Sequence, residues 1–221
     1  MPIPKKNSSE RPKTARERIY TTLKEWIIDG TLKPGEKISD MEISEYFSVS
    51  RTPVREAMQL LADQKLIEIF PGKESRVAPI DWSNAEQVYI MLAELQVLAV
   101  QFAFSKISDE TISKLENINR ELEEALQSDY LEVIRNCDNA FHDVMLELSG
   151  NSFLTNFNDI LRNHVMRIEN IYYSSQKKHV SSVSEHEAII DALRRGNLKD
   201  AEDAVRANWL HAMEVVGLDN L

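Results

Sequence analysis

Between Ser39 and Ala62 the chain has to start two helices in quick succession, and that constrains everything around it. Ser39 and Glu42 fit an S-x-x-E capping box, with Ile38 and Ile43 placed as a hydrophobic staple. Ile43 and Phe47 continue the inward face, and the helix ends by about Phe47. A second start follows almost at once. Ser50 or Thr52 can cap it, and Pro53 falls in the first turn, where a missing N–H costs nothing. Val54, Ala57, Met58, Leu61 and Ala62 then recur at i, i+3, i+4, i+7 and i+8, one continuous apolar stripe.

The flanking segments complete a pattern. Ile19, Leu23, Trp26 and Ile27 form the apolar face of a helix over 15–29, ended by Gly30 and followed by the Pro-Gly loop "LKPGEKI". Downstream, 67–70 and 75–78 are expected to be two strands joined by "PGKE", with Gly72 and Lys73 at the tip and Arg76 on the return. Helix, helix, short turn, helix and hairpin is the winged helix-turn-helix arrangement. It gives Arg51 and Arg55 a purpose, although the chain carries a formal net charge of −10. They stand at the N-terminal end of the third helix, the part a recognition helix presents to the major groove. An arginine there can bond bidentately to guanine O6 and N7. The competing expectation is a solvated pair tied to Glu42, Glu45 or Glu56.

Charge divides the chain. Residues 1–79 hold 14 Lys/Arg and 12 Asp/Glu, whereas residues 80–221 hold 12 and 24. An acidic chain does not bind nucleic acid wholesale, but a near-neutral part with a local basic face can. The boundary falls near "APIDWSN", giving a polar, disordered tail over 1–13, a DNA-binding domain over 14–79 and a helical domain over 80–221. The tail lacks the apolar stretch of a signal peptide. The run from Ile90 to Phe104 is interrupted by Glu94, Gln96 and Gln101, too short and polar to span a membrane. The lone cysteine, Cys137, allows no internal disulfide. A cytoplasmic protein is expected.

Residues 80–221 predict six helices, over 82–105, 108–127, 130–149, 152–174, 182–195 and 198–216. Ser108, Asn151 and Asn197 start three of them, and Ser182 with Glu185 fits another capping box. Polar residues interrupt the apolar stripes. Asp138 and His142, four apart, share the face of Ile134, Phe141, Met145 and Leu148. His186 heads Ile189, Ile190 and Leu193; Asn208 continues Ala201, Ala204 and Val205; His164 follows Phe157 and Leu161. Buried polar groups need partners. One such histidine is ordinarily a hydrogen-bonded core residue. Several together suggest a pocket or a site for zinc or a similar divalent ion, since Asp and His both suit it.

Residues 16–79 resemble the DNA-binding domain of the GntR family of bacterial transcription regulators, through "IYTTLKEWIIDGTLKPGEKIS", "ISEYFSVSRTPVREAMQLLADQKLIEI" and "PGKESRV". The resemblance implies that Ser50, Arg51, Thr52 and Arg55 contact double-stranded DNA and that Gly72 and Lys73 enter the minor groove. Met41 stands where members often carry arginine. The rest is similar to the all-helical FCD domain of the FadR branch, through "DNAFHDVMLELSGN" and "EHEAIIDALRRGNLKDAEDAV". Six helices place it in the VanR-like subgroup. The resemblance implies one divalent metal held by Asp138, His142 and His186, with Asn208 at the fourth ligand's position and His164 in reserve. It also implies a small-molecule effector, commonly a carboxylate. Leu92 and Gln96, however, replace the arginine and glutamate of the usual R-x-x-L-E clamp. The expected protein is mainly α, a homodimeric, metabolite-responsive repressor of a palindromic operator, and not an enzyme. Its rivals are an effector-blind DNA-binding dimer and a helical metalloenzyme fused to a DNA-binding module.

Overall fold

The computed structural model describes residues 14–70, 74–127, 131–175 and 182–217. The chain divides into two compact units, residues 1–79 and 80–221. The expected tail over 1–13 lies outside the described residues, as does the wing tip with Gly72 and Lys73.

In the first unit, α1 (Ala15–Ile28) is followed by β1 (Lys37–Ile38), α2 (Asp40–Tyr46), α3 (Arg51–Asp63), β2 (Ile67–Glu68) and β3 (Ser75–Val77). A Thr14–Glu17 capping box starts α1. The helices close over Ile19, Leu23, Ile27, Val54, Ala57 and Leu61, with Leu66 and Val77 beneath. The sheet has three strands rather than the two expected, because β1 pairs with β3, which also pairs with β2, both antiparallel. Ile69 and Phe70 are not part of β2 and stay exposed. At α2 the Ser39 side chain accepts from the Glu42 N–H, one half of the expected box. The turn into α3 is closed by Val49 N–H donating to Ser44 O at 3.0 Å, and it forces Ser48 to φ +52°. Ser50, not Thr52, is the cap position of α3, and its hydroxyl makes no capping bond.

The second unit consists of α4 (Trp82–Ala103), a 3₁₀ turn (Phe104–Lys106), α5 (Asp109–Leu126), α6 (Leu131–Ser149), α7 (Ser152–Ser175), α8 (Ser182–Arg194) and α9 (Leu198–Val215). α4 is the central helix. It packs on α6, α7 and α9, while α5 packs on α6 and α8, and α8 on α9. Buried alanines at 85, 93, 99 and 103 let its neighbours approach closely. Residues 82–106 form a helical stretch long and apolar enough, by length and composition, to cross a membrane, contrary to the expectation from sequence. Part of that apolarity is core, with Tyr89, Leu92, Ala93 and Val100 buried in the bundle, while Met91, Leu98 and Phe102 stay exposed. The Ser182–Glu185 capping box is a further correction. Glu185 instead accepts hydrogen bonds from α9, because it lies on the inward side of α8.

Candidate DNA-reading face and candidate metal centre

Ser50, Arg51, Thr52 and Arg55 are all exposed at the N-terminal end of α3. The apolar stripe forces this, since Val54, Ala57, Met58 and Leu61 fix which face of α3 turns inward. Neither arginine pairs with Glu42, Glu45 or Glu56. Asp40 takes both: Oδ1 accepts from Arg51 Nη2 at 2.5 Å and Oδ2 from Arg55 Nε at 2.7 Å. The Arg51 hydrogen bond, followed by that of Arg55, outweighs burial and holds the Asp40 carboxyl below its ordinary range. Sequence reasoning missed Asp40, because the contact joins two helices and no spacing rule links them.

In the helical unit, donor atoms of Asp138, His142 and His186 lie within 4.8 Å of one another. α6 supplies the first two from one face, and α8 supplies the third. His186 Nε2 stands 3.6 Å from Asp138 Oδ1. The His186 ring stacks on Phe141 at 3.7 Å, and Trp209 lies against His142 at 4.8 Å between ring centroids. Burial drives His186 down to about 3, and burial, His186 and Arg162 together hold His142 well below its ordinary value. Both imidazoles are therefore neutral. Burial pushes Asp138 up to about 7, against Arg162 and with Glu185.

The donor set fits a metal on a specific ground. His186 Nδ1 faces Asn119 Oδ1 at 3.0 Å, while His186 Nε2 is buried with no hydrogen-bond partner. A buried nitrogen left over in this way costs free energy unless something binds it. Two donors on one zinc ion lie about 3.3 Å apart, so a small closure of the three would suffice. His164, half-buried on α7, does not join them. Asn208 is buried, and its Nδ2 donates to Glu185 Oε2 at 2.7 Å; His211 Nδ1 lies 2.5 Å from Glu185 Oε1. Asn119 was not singled out from sequence, and Glu185 was named only as half of a helix cap. Asn119 lies on the inward face of α5, a signal that was there to find.

Residues 15–77 match the bacterial regulatory proteins of the gntR family, and residues 87–210 match the FCD domain. The chain belongs to the GntR family, with an FCD effector-binding domain. This GntR regulator is 28% identical over 211 residues to the helix-turn-helix transcriptional regulator YdhC of Bacillus subtilis (strain 168), covering 93% of this chain and 92% of the relative. It is 25% identical over 199 residues to the transcriptional repressor RspR of Escherichia coli (strain K12), covering 90% and 86%. The solved structure of E. coli McbR/YncC has the same fold, with a TM-score of 0.80, 17% identity, and coverage of 93% of this chain and 98% of that one.

Leu92, expected from the resemblance to replace the clamp arginine, is fully buried in the core. Gln96 Nε2 donates to Asn158 Oδ1 at 2.6 Å. Arg162 bridges Asp143 at 2.6 Å and Asp159 at 3.3 Å. Burial and Asp138 raise the Glu169 carboxyl to about 8, against Arg135 and the Tyr89 hydroxyl.

Proposed function

We propose that this GntR regulator is a cytoplasmic repressor that binds a palindromic operator as a homodimer, and that a small ligand in the helical unit modulates its grip on DNA. The exposed arginine pair at the start of α3 carries the first half: it offers planar donor forks where a recognition helix meets base edges. A single winged helix is a small interface, and two-fold pairing is the usual remedy. Met91, Leu98 and Phe102 support pairing, because they lie exposed on one stripe of α4. The likeness to RspR supports repression.

Asp138, His142 and His186 would hold one divalent ion, zinc by donor chemistry. Such an ion would offer an oxygen-bearing ligand a place to bind, with Asn208 and Glu185 beside it. A second reading, an effector-blind dimer, is favoured by Leu92, since no arginine stands there for a carboxylate.

Selection of duplexes from a randomised library, followed by sedimentation, tests the first half. Recovered sequences should be two-fold symmetric, and Leu98→Glu should yield monomers that bind them more weakly. Asymmetric sequences bound by a wild-type monomer would refute it. A screen of small carboxylates and sugar acids on zinc-loaded protein, with release of the selected duplex as readout, separates the two readings. Release supports modulation; no release by any of them supports the effector-blind dimer.

A further inference from the structure

We propose that Asp40 sets operator selectivity by holding Arg51 and Arg55 in one fixed arrangement at the start of α3. The inference rests on those arginines reading base edges, as proposed above.

One carboxylate is fully committed to two arginines, one oxygen to each. The acid sits inside and the arginines outside: the Asp40 side chain is 19% exposed, against 52% for Arg51 and 65% for Arg55. What the pairing leaves over matters more. Arg55 is held through Nε, so its two terminal nitrogens remain as one donor edge, and Arg51 keeps the second Nη2 hydrogen together with Nε or Nη1, again one two-donor edge. None of these has a protein partner among the described residues. Bidentate recognition of guanine needs two coplanar donors aimed at O6 and N7. A long free side chain loses rotamer entropy when it is fixed on DNA. Asp40 takes that loss in advance and restricts each guanidinium to few orientations.

The alternatives fare worse. As a stability device, a largely exposed ion pair contributes little. As a contributor to affinity, an acid near phosphates is unfavourable, because it cancels one of the two positive charges available to the backbone. An acid that weakens binding to all DNA while orienting the base-reading groups makes sense as a source of discrimination.

The test uses the full chain with Asp40→Asn and Asp40→Ala. Binding is measured by fluorescence anisotropy on a duplex selected by the wild-type protein and on a random duplex of equal length. The ratio of the two affinities should fall roughly tenfold or more, with random-duplex binding retained or strengthened. In an Arg51→Ala, Arg55→Ala background, Asp40→Asn should cause no further fall. An unchanged ratio would overturn the proposal. So would equal loss on both duplexes together with a lowered melting temperature, which would make Asp40 a structural residue. The arginine variants separate the two levels. If Arg51→Ala and Arg55→Ala leave the ratio intact, base reading itself fails. If they lower it and Asp40→Asn does not, only the role of Asp40 fails.

Discussion

Asn119 dictates which nitrogen of His186 carries the proton. Its Nδ2 donates to the Val183 carbonyl at 3.0 Å, so its Oδ1 must face His186 Nδ1, also at 3.0 Å. An acceptor opposite Nδ1 assigns the proton there and leaves Nε2 as a lone pair beside Asp138 and His142. Asn119→Ala should therefore weaken zinc binding by about 10–100-fold, measured by competition with a chromophoric chelator. An unchanged affinity would show that the orientation of His186 does not depend on this amide.

Zinc has to displace a proton from Asp138, whose carboxyl sits at about 7, whereas both histidines are already neutral. Affinity should rise as pH climbs toward about 7 and flatten above it, and uptake near pH 6 should release close to one proton. Calorimetry in buffers of different ionisation enthalpy reads that proton directly.

The metal-free protein should respond in the opposite direction. A carboxyl raised on folding contributes stability that is full below its unfolded value and lost as pH rises through the folded one. For Asp138 the window runs from 3.8 to about 7, and for Glu169 from 4.5 to about 8. The buried histidines, half protonated at pH 6.5 only when unfolded, oppose this fall weakly and are neutral in both states by about pH 7.5. The melting temperature of chelator-treated protein should thus fall between pH 6.5 and about 8.5, and a rise would contradict these shifts.

Asn208→His should tighten zinc binding by about an order of magnitude or more, since an imidazole nitrogen is a better donor than an amide oxygen. The same chelator competition checks it. No change would place Asn208 outside the ion's reach and leave it as a hydrogen-bond partner of Glu185 alone.

Ser48 holds φ +52° in the turn between α2 and α3, a conformation that costs an L-residue but not glycine. Ser48→Gly should stabilise the protein by about 0.5–1 kcal/mol in urea denaturation, net of glycine's extra chain entropy.

What was legible in the sequence followed periodicity. The stripe Val54, Ala57, Met58, Leu61 placed α3 and its exposed arginines, and the i, i+4 spacing brought Asp138 and His142 to one face. What was illegible depended on contacts between elements. β1 is two residues long and becomes a strand only because β3 lies beside it. Glu185 fits a cap three residues after Ser182, yet α9 presents Asn208 and His211 to its carboxylate, and that contact prevails. Asn119 was half legible: its place on the inward face of α5 shows in the sequence, but its role comes from His186 on α8.

The stacked rings of Phe141 and His186 join α6 and α8, helices whose backbones otherwise meet at few points because each packs along α5. An ion held by Asp138, His142 and His186 would fall across that same seam. It would work as a clasp between two segments far apart in the chain, closing a long loop much as a cross-link does. Chelation should then loosen α8 before the rest of the bundle, a difference that hydrogen exchange would resolve helix by helix.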